Sequence, residues 1–476
     1  MKPVWILIAA AASAIAAPTF NQDVAPILYE NCATCHRPGE VAPFPLLTFQ
    51  DAAKRAALIA VATEKRFMPP WKPEPGYGEF AHERRLTDAQ IATLAEWAKA
   101  GAPEGDGKPP TPPVFPEGWQ AGQPNLILKM PDAFQVPADG PDLYECFVLP
   151  TNLSKDVYVG GAEFRPGNPR IVHHAVVMID TTGRARAMAK ANGGSSYPCF
   201  GSARVGIGGL LSGWAPGAAP QPVEQGIALR VEKGADIVVQ LHYHPSGKPE
   251  RDQSQLGLRF SEAPTKGVAT LIVLDTNIHI PAGETDYLVK ATMTMPQDGD
   301  LFAIAPHAHY LAKEMKLTAF LPDGSTKPLM YIKDWDFNWQ GQYRYKQPVH
   351  LPKGTRIDME YSFDNSTGNP QNPSNPPKPV KWGEQTTDEM AVAFMGFLLP
   401  KPADVLPFQR AVQRQMLDSI LTGLQSFDDL PNEISPATAQ RIRQALVLFD
   451  RNRNGKLDPE ERSSLQTLLD VILPRQ

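Results

Sequence analysis

The chain has 476 residues, with 46 Lys and Arg against 51 Asp and Glu, a net charge of −5 and 42% hydrophobic residues. That balance excludes a nucleic-acid or anionic-membrane binder acting through bulk charge, and the length points to about three domains instead of one small fold. The 49 prolines, about twice the usual share, stand beside an ordinary 36 glycines, which excludes collagen and predicts proline-rich loops and linkers.

In chain order, Met1-Lys2, the apolar run from Val4 to Ala12 and the small residues Ala14 to Ala16 make the three zones of a secretory signal over residues 1–17. No later stretch reaches about 18 uninterrupted apolar residues, so the sequence predicts no stable membrane span and an exported protein, periplasmic or extracellular. Residues 18–104 read as a small all-α domain. Thr87 and Gln90 form a capping box, Leu86 and Ile91 a staple, and Ile91, Leu94, Ala95 and Ala98 the buried face of a helix that ends near Gly101. Cys32-Ala-Thr-Cys35-His36 is a C-x-x-C-H motif: its thiols add to the vinyl groups of one covalent haem c and its histidine binds the iron. A redox C-x-x-C does not need the histidine, and a zinc knuckle needs a second ligand pair. Met68, in Phe67-Met68-Pro69-Pro70-Trp71, is the preferred sixth ligand because a thioether raises the potential of an electron carrier; His82 is the rival. Through these two motifs residues 20–106 resemble a class of small bacterial c-type cytochrome domains, which implies a cytochrome c fold.

Residues 105–124 open with five prolines between Gly105 and Pro116 and are expected to be a linker. From 125 to 400, short apolar runs such as Ala175 to Ile179, Ile237 to Leu241 and Leu271 to Leu274 alternate with Pro, Gly and Asp turns. That texture predicts two tandem β-sandwiches, jelly-roll-like, at 125–261 and 262–400. Residues 401–476 return to helical periodicity, with Ile442, Ala445, Leu446 and Phe449 on one face and Leu465, Leu468, Leu469 and Ile472 on another. Between those faces lies a twelve-residue EF-hand pattern. Asp450, Asn452, Asn454, Lys456 through its carbonyl, Asp458 and Glu461 stand as Ca²⁺ ligands, with Gly455 at the sharp turn. Neutral Asn452 and Asn454 beside Arg451 and Arg453 predict modest affinity, and a degenerate loop that binds nothing is the alternative.

Ten histidines predict about 0.2 adjacent pairs and about 0.2 His-x-His pairs by chance. The sequence has three: His173-His174, His242-Tyr-His244 and His307-Ala-His309. Residues i and i+2 of a strand share a face, so His307 and His309 are expected to converge on one ion, and imidazoles at this density point to copper or zinc.

The order and surroundings of these pairs resemble the copper type II (ascorbate-dependent) monooxygenases, the family of peptidylglycine α-hydroxylating and dopamine β-monooxygenases. The resemblance covers 125–399 and is carried by Tyr144 to Pro150, Val172 to Val177, Tyr197-Pro-Cys199, Val239 to Tyr243, Ile280 to Gly283, Phe302 to Leu311 and Thr387 to Met390. It implies that His173, His174 and His242 hold an electron-storing copper, and that His307, His309 and Met390 hold a second, oxygen-binding copper as the catalytic centre. It also implies a Cys146–Cys199 disulfide. A soft thioether suits Cu(I), and an all-imidazole site suits both oxidation states. His244 falls outside the family's pattern and stands as a supporting residue or an alternative to His242.

The peptide-processing branch of that family binds a carboxylate at positions that here hold Ala305, Val392 and Phe394, so an apolar or aromatic substrate is expected. The reading is an enzyme: O₂ hydroxylates a C–H bond of a small organic substrate, with electrons entering through the haem from a redox protein, a quinol or ascorbate. The alternative is a haem and copper electron-transfer or copper-binding protein without oxygenase activity. A structural zinc site is disfavoured by Met390.

Overall fold

The computed structural model describes residues 17–40, 42–199, 203–205, 210–216, 226–383, 385–423, 444, 446–455, 457, 458, 460, 461 and 464. The expected signal segment, apart from Ala17, lies outside the described residues, as do Lys456 and most of the helical faces expected in the tail. The chain divides into two compact units: residues 1–71 with 83–115, and residues 72–82 with 116–476.

This corrects the expected fold class of an all-α cytochrome c domain, two sandwiches and an α-helical EF-hand tail. Twenty-one strands against six α-helices make the described chain predominantly β, and it forms two units in place of separate parts. The smaller unit does not show the expected cytochrome c architecture. It opens with a five-residue π-helical turn, Phe20–Val24, and its helices Ala25–Asn31, Phe49–Ala53, Ala56–Glu64 and Asp88–Lys99 are mostly short. The stretch after Cys32 is built of turns and bends, because Pro38, Pro43 and Pro45 deny it a continuous helix. At the other end, the helix Val405–Gly423 packs into the larger unit: Phe408 meets Phe397 at 5.9 Å between ring centroids, and both rings are fully buried.

In the smaller unit the last helix starts as its residues dictate. The Thr87 hydroxyl accepts from Gln90 N at 3.2 Å, and Gln90 Oε1 accepts from Thr87 N at 2.9 Å, completing the capping box. Leu94 and Trp97 are buried against Phe20, Val24 and Leu28, and Gly101 takes a φ of +84° just after the helix. Asn21 Nδ2 donates to the carbonyls of Gly105 and Gly107, so the proline-rich stretch starts pinned to the unit.

In the larger unit, residues 126–261 form two antiparallel sheets. One has five strands in the spatial order Ser196–Pro198, Leu143–Pro150, Asp236–Tyr243, Val172–Asp180, Leu210–Trp214; the other has Leu126–Lys129, Gln255–Ser261, Val157–Arg165, Leu229–Val231. Period 2 sorts the central strand: Ile237, Val239, Leu241 and Tyr243 face the core between the sheets, while Val238, Gln240 and His242 face outward. Val238 is then covered by the helix Arg184–Ala191 and by Cys146 and Cys199, which form a disulfide. Residues 267–399 repeat the two-sheet plan with the orders Gly267–Leu274, Val392–Leu399, Gly299–His307, Tyr343–Leu351 and Tyr287–Thr294, Arg356–Phe363, Ala312–Phe320, Thr326–Ile332. Residues 72–82 lie along two edge strands of this pair, with antiparallel bridges Pro73 to Ile332 and Phe80 to Tyr345.

Candidate metal centres

His242 projects from the outer face of the five-stranded sheet and pairs with His174 on one side and Tyr144 on the other. Adjacent strand residues ordinarily face opposite ways, yet His173 and His174 both reach His242. A break in register between Val172 and His174 makes His173 the extra residue of a bulge, which turns it to the same side. The Nδ1 atoms of the three rings approach pairwise to 3.2, 3.2 and 3.4 Å. A triangle with edges of that size has its corners about 1.9 Å from its centre, close to the roughly 2.0–2.1 Å of a metal–imidazole bond.

The surrounding groups aim these lone pairs inward. Asp142, nearly buried, accepts from His242 Nε2 at 2.8 Å, which fixes the proton there and leaves Nδ1 as a lone pair; it also accepts from His244 Nδ1 at 2.7 Å. Burial alone would raise Asp142, but the bonds from His242 and His244 hold its carboxyl down at about 2. Burial, then the other imidazoles, lowers His173 to about 3 and lowers His174 well below the ordinary histidine value, so both rings are neutral. Imidazole nitrogens facing one another with lone pairs repel unless a cation sits among them. This donor set fits copper or zinc. Tyr144 stacks on His242 at 4.3 Å, and the buried Asp252 carboxylate accepts from Asn168 N and the Tyr243 hydroxyl, tying the approach to His173 to the end of the His242 strand.

His307 ends its strand and pairs with Val392; His309 lies beyond the strand, so its convergence with His307, 5.3 Å between ring centroids, does not come from strand periodicity. The fully buried Glu389 supplies it. Its carboxylate accepts from the backbone N–H groups of His309, Leu311 and Met390, holding the His-x-His turn beside the methionine. Burial pushes Glu389 up to about 8 in spite of those three donors. His307 Nδ1 donates to Gln340 Oε1 at 2.6 Å and His309 Nδ1 to the Asp388 carbonyl at 3.1 Å, so each ring keeps Nε2 for an ion. Met390 is half-buried two residues before Val392, the strand partner of His307. Ala305 and Phe394 are paired one row further along the same face.

In the smaller unit the Cys32 and Cys35 thiols are free, and burial raises both, Cys32 to about 12. His36 Nδ1 donates to the Phe44 carbonyl at 3.0 Å, which again leaves Nε2 available. Met68 is half-buried in the same unit, whereas His82 is exposed and belongs to the larger one. In the EF-hand pattern, Asp450 accepts from Asn454 N and Gly455 N, and Glu461 accepts from Arg451 N and Asp458 N. Gly455 has a φ of +76°, as the turn requires. Lys456 lies outside the described residues.

Asp142, Asp252, Gln340 and Glu389 were not found from sequence. Only Glu389, inside the quoted Thr387 to Met390 motif, had a local signal; Gln340, Asp252 and Asp142 reach across 33, 84 and 102 positions to His307, Asn168 and His244. No family model matches the chain. Among solved structures it is similar to the major capsid protein P2 from Bacteriophage PM2, at 10% identity over 57% of this chain and 96% of that chain, with a TM-score of 0.26. It is similar to the infectious bursal disease virus VP2 subviral particle at 10% identity, covering 61% and 76% of the two chains, TM-score 0.18. For PNGF-II the values are 11%, 57%, 60% and 0.18. Among the described residues no helix is long and apolar enough to cross a membrane.

Proposed function

We propose that the chain is an exported copper-dependent monooxygenase that hydroxylates a C–H bond of a small organic substrate. The Nδ1 triangle of His173, His174 and His242 carries this reading. The reaction joins R–H, O₂, two electrons and two protons to give R–OH and water. Bound copper supplies one-electron redox chemistry and activation of O₂.

The chain's own residues hold and aim the ions. Asp142 fixes the tautomer of His242. Gln340 and the Asp388 carbonyl present His307 and His309, and Glu389 keeps Met390 beside them. The thioether of Met390 would favour Cu(I) over Cu(II). Val392 pairs with His307 and Ala305 with Phe394 on the same sheet, and Phe394 is 37% exposed; these apolar neighbours favour an apolar or aromatic substrate over an anion. Electrons come from a redox protein, a quinol or ascorbate through a haem c held by Cys32, Cys35 and His36, with Met68 as sixth ligand. Ca²⁺ in the 450–461 loop is a structural ion. Export is supported by the disulfide, which persists in oxidising compartments.

The test is copper stoichiometry. The parent is expected to bind two coppers per chain, and His173→Ala and His307→Ala one each, with the haem spectrum unchanged. A parent that binds fewer than two overturns the reading.

A further inference from the structure

We propose that Phe337 is the positioning residue that couples the two histidine clusters, an inference that rests on the copper reading above. Its ring is 3% exposed. It lies face-on to His173, with centroids 5.0 Å apart and planes at 21°, and edge-on to His309 at 5.7 Å and 89°. One imidazole from each cluster therefore rests on a single ring, and the two are separated by less than those contacts combined. Tyr310 packs on the same ring at 4.5 Å.

The ring is held in place by its own segment. Phe337–Trp339 is one 3₁₀ turn, capped by Asp336, whose carboxylate accepts from Asn338 N and Nδ2 at 3.0 Å each. The same connection reaches the second cluster twice more. Trp335 Nε1 donates to the His309 carbonyl at 3.0 Å, and Gln340 accepts from His307 Nδ1. Residues 72–82 strap both of its ends. On one side Glu74 N donates to the Tyr331 carbonyl at 2.7 Å and Lys72 pairs with Asp334 at 3.2 Å; on the other Ala81 N donates to the Arg344 carbonyl at 2.7 Å and Phe80 packs on Tyr343 and Tyr345. Residues 333–342 thus cannot shift without carrying contacts to His173, His307 and His309 with them.

An aromatic hydrocarbon suits this place. It offers no ligand atom to compete with the imidazoles, and its stacked contact to one and T-shaped contact to the other fix their spacing. With copper held in both clusters, the hydroxylation would draw one electron from each ion, and the electron from the first would have to pass to the second. A fixed, short separation serves that transfer.

The experiment loads the parent, Phe337→Leu and Phe337→Tyr with two equivalents of Cu(II) and records the dipolar broadening of the Cu(II) EPR signal, a readout independent of turnover. The parent and Phe337→Tyr are expected to show the broadening. Phe337→Leu is expected to keep two coppers, change the broadening measurably from the parent's and fall about 10–100-fold in kcat with KM little changed, the order of loss for a misplacement of about 1 Å. Phe337→Met replaces it if the leucine variant does not fold. Parent-like broadening and kcat in the ring-less variant overturn the proposal and leave the copper reading standing. A parent holding fewer than two coppers overturns both.

Discussion

Replacing Asp142 by Asn puts an amide where a carboxylate accepts from both His242 Nε2 and His244 Nδ1. The amide no longer selects the Nε2-protonated tautomer by charge, so His242 Nδ1 is no longer held as a free lone pair. Outer partners of this kind are worth about 10–100-fold in metal affinity. Asp142→Asn is therefore expected to weaken the first copper by that factor and leave the second untouched, checked by calorimetric titration of each site in a background where the other is deleted. Unchanged first-site affinity would show that the carboxylate only packs there. The histidines themselves were legible, because three close pairs among ten residues are improbable and the pairs sit in recognisable surroundings. Their partners were not. Asp142 lies 100 residues from His242 in sequence, and nothing near it marks it as an acceptor.

At the scale of elements, legibility followed range. The helix from Asp88 was readable because Thr87 and Gln90 are both partners and neighbours, and both bonds form. Convergence of His307 and His309 was expected from strand periodicity, but the strand stops at His307 and the buried Glu389 closes the turn instead. The bulge at His173 depends on pairing with the His242 strand, so it has no sequence signature. The Cys146–Cys199 bridge braces that same strand from its outer face, packing with Val238 and the helix Arg184–Ala191. It closes a separation of 53 residues, which in the chain-entropy picture is worth about 2–4 kcal/mol. The double variant Cys146→Ser/Cys199→Ser is expected to lose that much in denaturant unfolding followed by tryptophan fluorescence, and to bind the first copper more weakly. A midpoint and affinity equal to the parent's would contradict the bracing role.

At the scale of the molecule, the alternation of short apolar runs with turns correctly marked the β-rich region, while the cytochrome c fold expected for the amino-terminal part did not emerge from its short, proline-interrupted helices. Local motifs survive such a change of fold. Cys32, Cys35 and the tethered His36 still stand together in one unit. The assignment of residues 72–82 to the larger unit has no precedent in their composition, since edge-strand pairing is decided by what the sheets leave uncovered. The central claim is tested most directly by oxygen uptake. The copper-loaded protein is given ascorbate and ¹⁸O₂ with a panel of aromatic and aliphatic amines, alcohols and amides, and Met390→Ile is run beside it. The expected result is substrate-dependent uptake with one ¹⁸O atom in a hydroxylated product, and none from Met390→Ile. Reduction and reoxidation of haem and copper with no labelled product, or equal product from Met390→Ile, would contradict it.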